Sequence, residues 1–167
     1  MARSSKSDGA EQVAQFVEEF ALLCEQGGWP RIAGKILAWL LVCDAPQQDA
    51  EQLAAALQAS KASISTMTRY LIDRGMVERC ALPGDRRVYF RIRSGLWSHL
   101  MRERLRSVAL MRGLAERAAA LVRDKSPAQR ARAEEMASFY AWWERELPAL
   151  FERWEQQVAE PRPRRRS

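Results

Sequence analysis

The 167-residue sequence predicts a mainly α-helical fold that carries one small β-hairpin between long helices. Three observations predict it. Apolar residues recur at helical spacing through most of the chain. Two short β-favouring runs, "MVERCAL" and "VYFRI", flank the turn-forming cluster Pro83-Gly84-Asp85. Capping signals punctuate the helical stretches.

Taken in order, Asp8 and Glu11 have capping-box spacing and predict the start of a first helix. Its apolar residues are Val13, Phe16, Val17, Phe20, Ala21 and Cys24, and Gly27-Gly28 ends it. Pro30 suits the first position of a second helix, whose Ile32, Ile36, Leu37, Trp39 and Leu40 leave few polar sides, as in a buried spine. Asp44-Ala45-Pro46 breaks that helix. Asp49 with Gln52 then caps a short third one holding Leu53, Ala54 and Leu57. Ser60 caps a fourth, which stops at Gly75, and the hairpin follows. From Ser94 an apolar stripe from Leu96 to Val122 predicts a long helix. Ser126-Pro127-Ala128-Gln129 ends it and caps the last helix, in which Pro148 predicts a kink. These elements divide the chain into N-terminal helices (8–43), a helix-turn-helix with hairpin (44–93), a helical C-terminal region (94–160) and a basic tail (161–167) of disordered composition.

Composition narrows the function. No catalytic nucleophile–base arrangement, glycine-rich phosphate loop or paired catalytic carboxylates can be picked out. Cys24, Cys43 and Cys80 are widely spaced within apolar patterns, which favours packed, reduced thiols over an oxidant-sensing Cys24. His99 is the single histidine, so no metal or cofactor is expected. No apolar run approaches a membrane span, and a cytoplasmic protein is expected. The formal charge of +6 is uneven: residues 1–59 hold four basic and eight acidic side chains, whereas 60–93 hold eight and three. A short basic segment behind an acidic one points to a polyanion.

The helix beginning at Ser60 suggests which polyanion. At 100° per residue, Ile64, Met67, Thr68 and Leu71 share the core side, while Ala62, Thr66, Arg69 and Asp73 lie opposite, flanked by Ser63, Ser65 and Tyr70. An ordinary solvated face would carry Glu, Lys and Gln. This one is small and hydroxyl-rich beside Lys61 and Arg69, which lets a helix backbone approach base edges in a DNA major groove. Ser60 at the cap leaves helix N–H groups for a phosphate. Upstream, "LAAALQAS" supplies a helix and tight turn, and downstream "GDRRVY" sets two arginines at the hairpin tip. Helix, turn, helix and two-stranded wing form a winged helix-turn-helix, with basic residues at both contact points.

"AEQLAAALQASKASISTMTRYLIDRGMVERCALPGDRRVYFRI" resembles the winged helix-turn-helix of the MarR family of bacterial transcription regulators. The flanks "GWPRIAGKILAWLLVCD" and "FYAWWERELPALFERWEQ" resemble its GbsR-type branch, whose named member regulates choline and glycine-betaine metabolism. The resemblance implies a dimeric repressor on an inverted-repeat operator, with Asp85 orienting Arg87 and with Arg86 and Arg87 supplying the wing contact. The chain departs from the family pattern at two places. Gln58 stands where many such turns have Gly, which predicts a turn that avoids the left-handed region there, and "RIRSG" replaces the usual Leu-Thr close of the wing.

The long helices hold more apolar surface than a small winged domain can cover, which predicts a homodimer. Trp97, Tyr140, Trp142 and Trp143 are the candidate aromatic site for a small-molecule effector, although Trp143 lies on a stripe that reads more simply as core or interface. The arginine-rich tail suits a non-specific DNA arm better than a membrane patch. A protein-binding scaffold built on the winged domain is the competing reading.

Overall fold

The computed structural model describes the backbone of residues 2–159 and the side chains of residues 8–158, so the basic tail lies outside the described residues. Helix α1 (Ala2–Gln26) is followed by α2 (Arg31–Val42), strand β1 (Gln47–Asp49), α3 (Ala50–Leu57) and α4 (Lys61–Asp73). Strands β2 (Val77–Cys80) and β3 (Tyr89–Ile92) precede the long helices α5 (Leu96–Leu121) and α6 (Pro127–Ala159). The chain divides into two units between Leu96 and Trp97.

In the first unit α2 is the spine that the apolar pattern predicts. Ala33, Ile36, Leu37, Ala38 and Leu40 are all buried, against Val17 and Ala21 of α1. The helices cross closely at Gly34, where an added Cβ would stand 2.9 Å from the Cα of Ala21. On the polar side of the crossing, Glu18 receives hydrogen bonds from Lys35 and, at 2.9 Å, from Arg31. The Lys35 bond, then the Arg31 bond, hold its carboxyl below the usual range. A depressed carboxylate contributes stability above its unfolded pKa and loses that contribution as the pH falls through the folded one. α1 begins upstream of the expected start, so Asp8 lies inside the helix instead of capping it.

The three strands form one antiparallel sheet in the order β1-β3-β2. The hairpin expected from sequence is β2–β3, paired from Val77↔Ile92 to Cys80↔Tyr89. The added strand β1 pairs Gln48 with Phe90 and Asp49 with Tyr89. That pairing ties the wing to the start of the helix-turn-helix. Asp49 ends the strand and caps α3 through a full capping box with Gln52, both bonds 2.8 Å.

The turn after α3 corrects the expectation for Gln58. Its φ of 50° and ψ of 42° place it in the left-handed region, where its N–H reaches back to Ala54 and Ala55. The geometry that ends α3 and redirects the chain into α4 therefore prevails over the side chain's steric cost. Gln58→Gly should remove that strain at some entropic cost and raise unfolding stability by about 0.5–1 kcal/mol. Urea denaturation of both proteins checks this, and a less stable variant would show that the Gln58 side chain holds the turn.

In the second unit α5 and α6 form an antiparallel pair. Arg112 of α5 pairs with Glu144 of α6, and Arg102, earlier on α5, pairs with Glu155, later on α6. Val108, Ala115 and Phe151 are buried. Ser126 and Gln129 make the expected capping box, with Pro127 as the first helical residue. α6 includes Pro148 within its span.

Candidate nucleic-acid interface

α4 presents its faces as the 100° projection predicts. Ile64, Thr68 and Leu71 are buried, and the Thr68 hydroxyl satisfies itself by donating to the Ile64 carbonyl at 2.8 Å. Ala62, Ser65, Thr66 and Arg69 are exposed and Ser63 is half-buried. The Ser60 hydroxyl accepts from the Ser63 N–H at 3.1 Å and donates to the Ser63 hydroxyl at 2.9 Å, so it is committed to starting the helix. Arg69 lies back along the helix, its Nε donating to the Ser65 carbonyl at 3.3 Å. Lys61 pairs with Glu51 of α3 at 2.5 Å, both side chains more than 70% exposed. Solvent screens a pair so exposed, and a phosphate can displace it. On the flank, the Arg74 guanidinium stacks 3.7 Å from the Tyr70 ring centroid.

The wing tip is more ordered than a run of charges suggests. Asp85 accepts from the Arg87 backbone N–H at 2.9 Å, from Arg87 Nε and Nη2 (2.7 Å for Nη2), and from the Tyr89 hydroxyl at 2.7 Å. These donors, Arg87 foremost, hold the Asp85 carboxyl far below its ordinary range, so it stays ionised throughout mildly acidic pH. Its contribution to wing stability is present above the unfolded carboxylate pKa and fades only as the pH falls through the depressed folded value. The third nitrogen of Arg87, Nη1, donates to Asp49 Oδ2 at 2.5 Å, across a wide gap in sequence. Arg86 is exposed, and no described carboxylate pairs with it.

The structure thus brings Ser60, Lys61, Ala62, Ser63, Ser65, Thr66 and Arg69 together on α4 and Asp85, Arg86 and Arg87 in the wing. It adds two residues that sequence reasoning missed at this site. Asp49 was legible only as a cap, because its contact with Arg87 spans the whole winged region and leaves no local signal. Tyr89 reads as a strand aromatic, and only the folded hairpin brings its hydroxyl to Asp85. The four candidate effector aromatics lie in the second unit. Trp142 packs edge-on against Trp143 at 6.3 Å, and Tyr140 meets Phe139 at 5.2 Å. Trp97 is 53% exposed and, among the described residues, makes no ring contact with them. Burial raises the Cys24 and Cys43 thiol pKa values, which disfavours the reactive thiolate. Among the described residues no group of side chains could hold a metal ion, and no helix is long and apolar enough to cross a membrane.

A short helix, a tight turn, a helix with a small polar exposed face and a sheet-borne basic wing define a winged helix-turn-helix of the kind that binds DNA. Residues 35–89 match the MarR family, and residues 95–157 match the family described as MmpR5-like MarR family transcriptional regulators. The HTH-type transcriptional regulator MmpR5 of Mycobacterium tuberculosis (strain H37Rv) is 38% identical over 162 residues, spanning 93% of this chain and 98% of that protein. A crystal structure described as a transcriptional regulator is 39% identical with a TM-score of 0.71, over 87% of this chain and 99% of that one. The chain belongs to the MarR family of winged-helix transcriptional regulators, and its likeness is to the MmpR5-like group.

Proposed function

We propose that this DNA-binding regulator acts as a dimeric repressor, with the exposed face of α4 reading the major groove of an inverted-repeat operator. The carrying observation is the exposure of Ala62, Ser65, Thr66 and Arg69 on one side of a helix whose other side is buried. Side chains this short let the backbone approach base edges, where hydroxyls exchange hydrogen bonds and Arg69 can fork onto guanine. Ser60, Lys61 and Ser63 flank the helix start for a phosphate contact, and Arg86 and Arg87 form the wing contact. The MmpR5-like match supports a regulator of that group for the C-terminal helices, in preference to the GbsR-type branch that the flanking sequence resembles.

Dimerisation is supported by apolar residues left in water. Leu110, Leu114 and Leu121 share one side of α5 and are 73%, 46% and 79% exposed. Phe139, Trp142 and Leu150 on α6 are each about half exposed. Rows of this kind on paired helices suit a second copy. Of the candidate effector aromatics, Tyr140, Trp142 and Trp143 lie in one run of ring contacts through Phe139, and among the described residues no ring contact joins Trp97 to them.

The test is a salt titration of duplex binding. Log affinity should fall with log salt at roughly −0.9 per phosphate contacted. Thr66→Ala should change which sequence is preferred and weaken the best site by about 1–3 kcal/mol. Failure to bind any duplex at low salt would favour a protein-binding scaffold.

A further inference from the structure

We propose that the cleft between the C-terminal half of α4 and the foot of the hairpin is a phosphate site, in which Arg79 and Arg93 hold the DNA strand that runs between the two grooves. The inference rests on the DNA-binding reading above and adds two residues to it.

The first observation is the cleft itself. Its volume is about 450 Å³, and Arg69, Asp73, Glu78, Arg79 and Arg93 line it. These side chains come from α4, from β2 and from the residue after β3. Sites that admit a small ligand measure roughly 300–1,000 Å³, so a phosphodiester group has room here.

The second is position. Arg69 shares the exposed face of α4 with Ala62 and Thr66, and it also walls the cleft. The cleft therefore opens between the face that reads bases and the foot of the wing. A helix in a major groove and a wing in the adjoining minor groove are separated by one sugar-phosphate strand. That strand has to cross the gap between α4 and the hairpin, which is where the cleft lies.

The third is charge held on a firm backbone. Arg79 stands opposite Phe90 in the β2–β3 register, and the Arg93 N–H donates to the Met76 carbonyl at 3.0 Å. Both side chains are exposed, and among the described residues neither is paired with a carboxylate. Of the two carboxylates in the lining, Glu78 is taken by Arg91 at 2.7 Å. Asp73 alone is left against three guanidiniums. Like charges lining one space repel, and an anion between them removes that repulsion. A phosphate suits the place, because its oxygens accept the forked donors of a guanidinium. Arg93 belongs to "RIRSG", the close of the wing where the chain departs from the family pattern.

The competing role is protection of a sheet edge. β2 is an outer strand, and charged side chains keep such strands from pairing with other chains. That role accounts for Arg79 but not for Arg93, which lies beyond the end of β3.

The test uses a duplex that the wild-type protein selects from a random-sequence pool. Phosphates between the major-groove and minor-groove contacts are replaced one at a time by uncharged methylphosphonate. The wild type should lose about tenfold in affinity at one such position, as for a charge-assisted contact. On the unmodified duplex, Arg79→Gln and Arg93→Gln should each weaken binding by at least about fivefold, alike for selected and scrambled sequences. Together they should make the salt slope shallower by about one unit. At the sensitive phosphate, the methylphosphonate should then cost the double variant nothing further. Melting should be unchanged, since both side chains stand in solvent.

Folded variants that bind as the wild type does overturn the inference and leave the DNA-binding reading standing. A double variant that again loses the full factor at the modified phosphate overturns it too, because other residues then make that contact. If Arg79→Gln aggregates through the β2 edge, Arg93→Gln carries the test alone; an undiminished methylphosphonate effect in that variant rejects the site. A wild type that selects no duplex overturns this inference and the DNA-binding reading together.

Discussion

Gly34→Val is expected to destabilise the first unit severely, by roughly 3 kcal/mol or more, because it combines overpacking with a backbone that cannot yield. A Cβ at position 34 would stand 2.9 Å from Ala21 Cα and 3.0 Å from Cys24 Cβ. The first of these atoms is main chain of α1, so relief requires the two helices to separate. That separation exposes Val17, Ala21, Ile36 and Leu37, all buried at the crossing or beside it. Helix propensity works the other way, since replacing an interior glycine by alanine favours a helix by about 1 kcal/mol. At Gly34 the clash should outweigh that gain even for Gly34→Ala. Gly113 of α5 is the control: nothing lies within 4 Å of its added Cβ, so Gly113→Ala should stabilise by roughly 0.5–1 kcal/mol. Urea denaturation of the three variants decides it. A Gly34→Ala protein as stable as Gly113→Ala would mean that α1 does not approach α2 so closely in solution.

Placing glutamate at both Leu110 and Leu114 is expected to leave the protomer folded and the dimer broken. Leu110 is 73% and Leu114 46% exposed in the single chain, so the exchange costs the protomer little. Across an interface the same change buries charge without a partner. Each protomer would keep its own α4, so binding to a single half-site should change little. Binding to a two-half-site duplex should fall on the order of 10²–10⁴-fold, the advantage that linking two sites confers through effective concentration. Sedimentation reports the assembly, and titrations with one-site and two-site duplexes report the affinity. A dimer that survives both substitutions would move the interface off this side of α5.

Most of the fold follows from local rules and is legible on that account. The 3.6-residue apolar period gave α2, α4, α5 and α6. The Asp49–Gln52 and Ser126–Gln129 boxes marked two helix starts, because a cap is satisfied within one turn of chain. The exposed face of α4 was equally legible, since on a single helix the burial of Ile64, Thr68 and Leu71 decides where Ala62, Thr66 and Arg69 must point. The Asp8 start failed because a capping pattern also occurs inside helices, and nothing before it forces the helix to begin there.

What local rules cannot reach is whatever depends on a partner far along the chain. Gln47-Gln48-Asp49 has no strand propensity or alternation, and becomes β1 because β3 offers it an unpaired edge. Gln58 takes a left-handed conformation because the angle between α3 and α4 demands it, and that angle is set by packing of both helices against the core. By itself, then, the sequence determined a helical protein with a hydroxyl-rich recognition face and a basic wing, since composition and periodicity specify which side chains a helix must bury. Only the tertiary structure decided that Arg87 is bound by Asp49 as well as by Asp85 while Arg86 is left to the solvent. Asp49 and Arg87 meet only on folding, where the pairing offsets their opposite charges and limits their freedom, and no local spacing in the chain records that meeting.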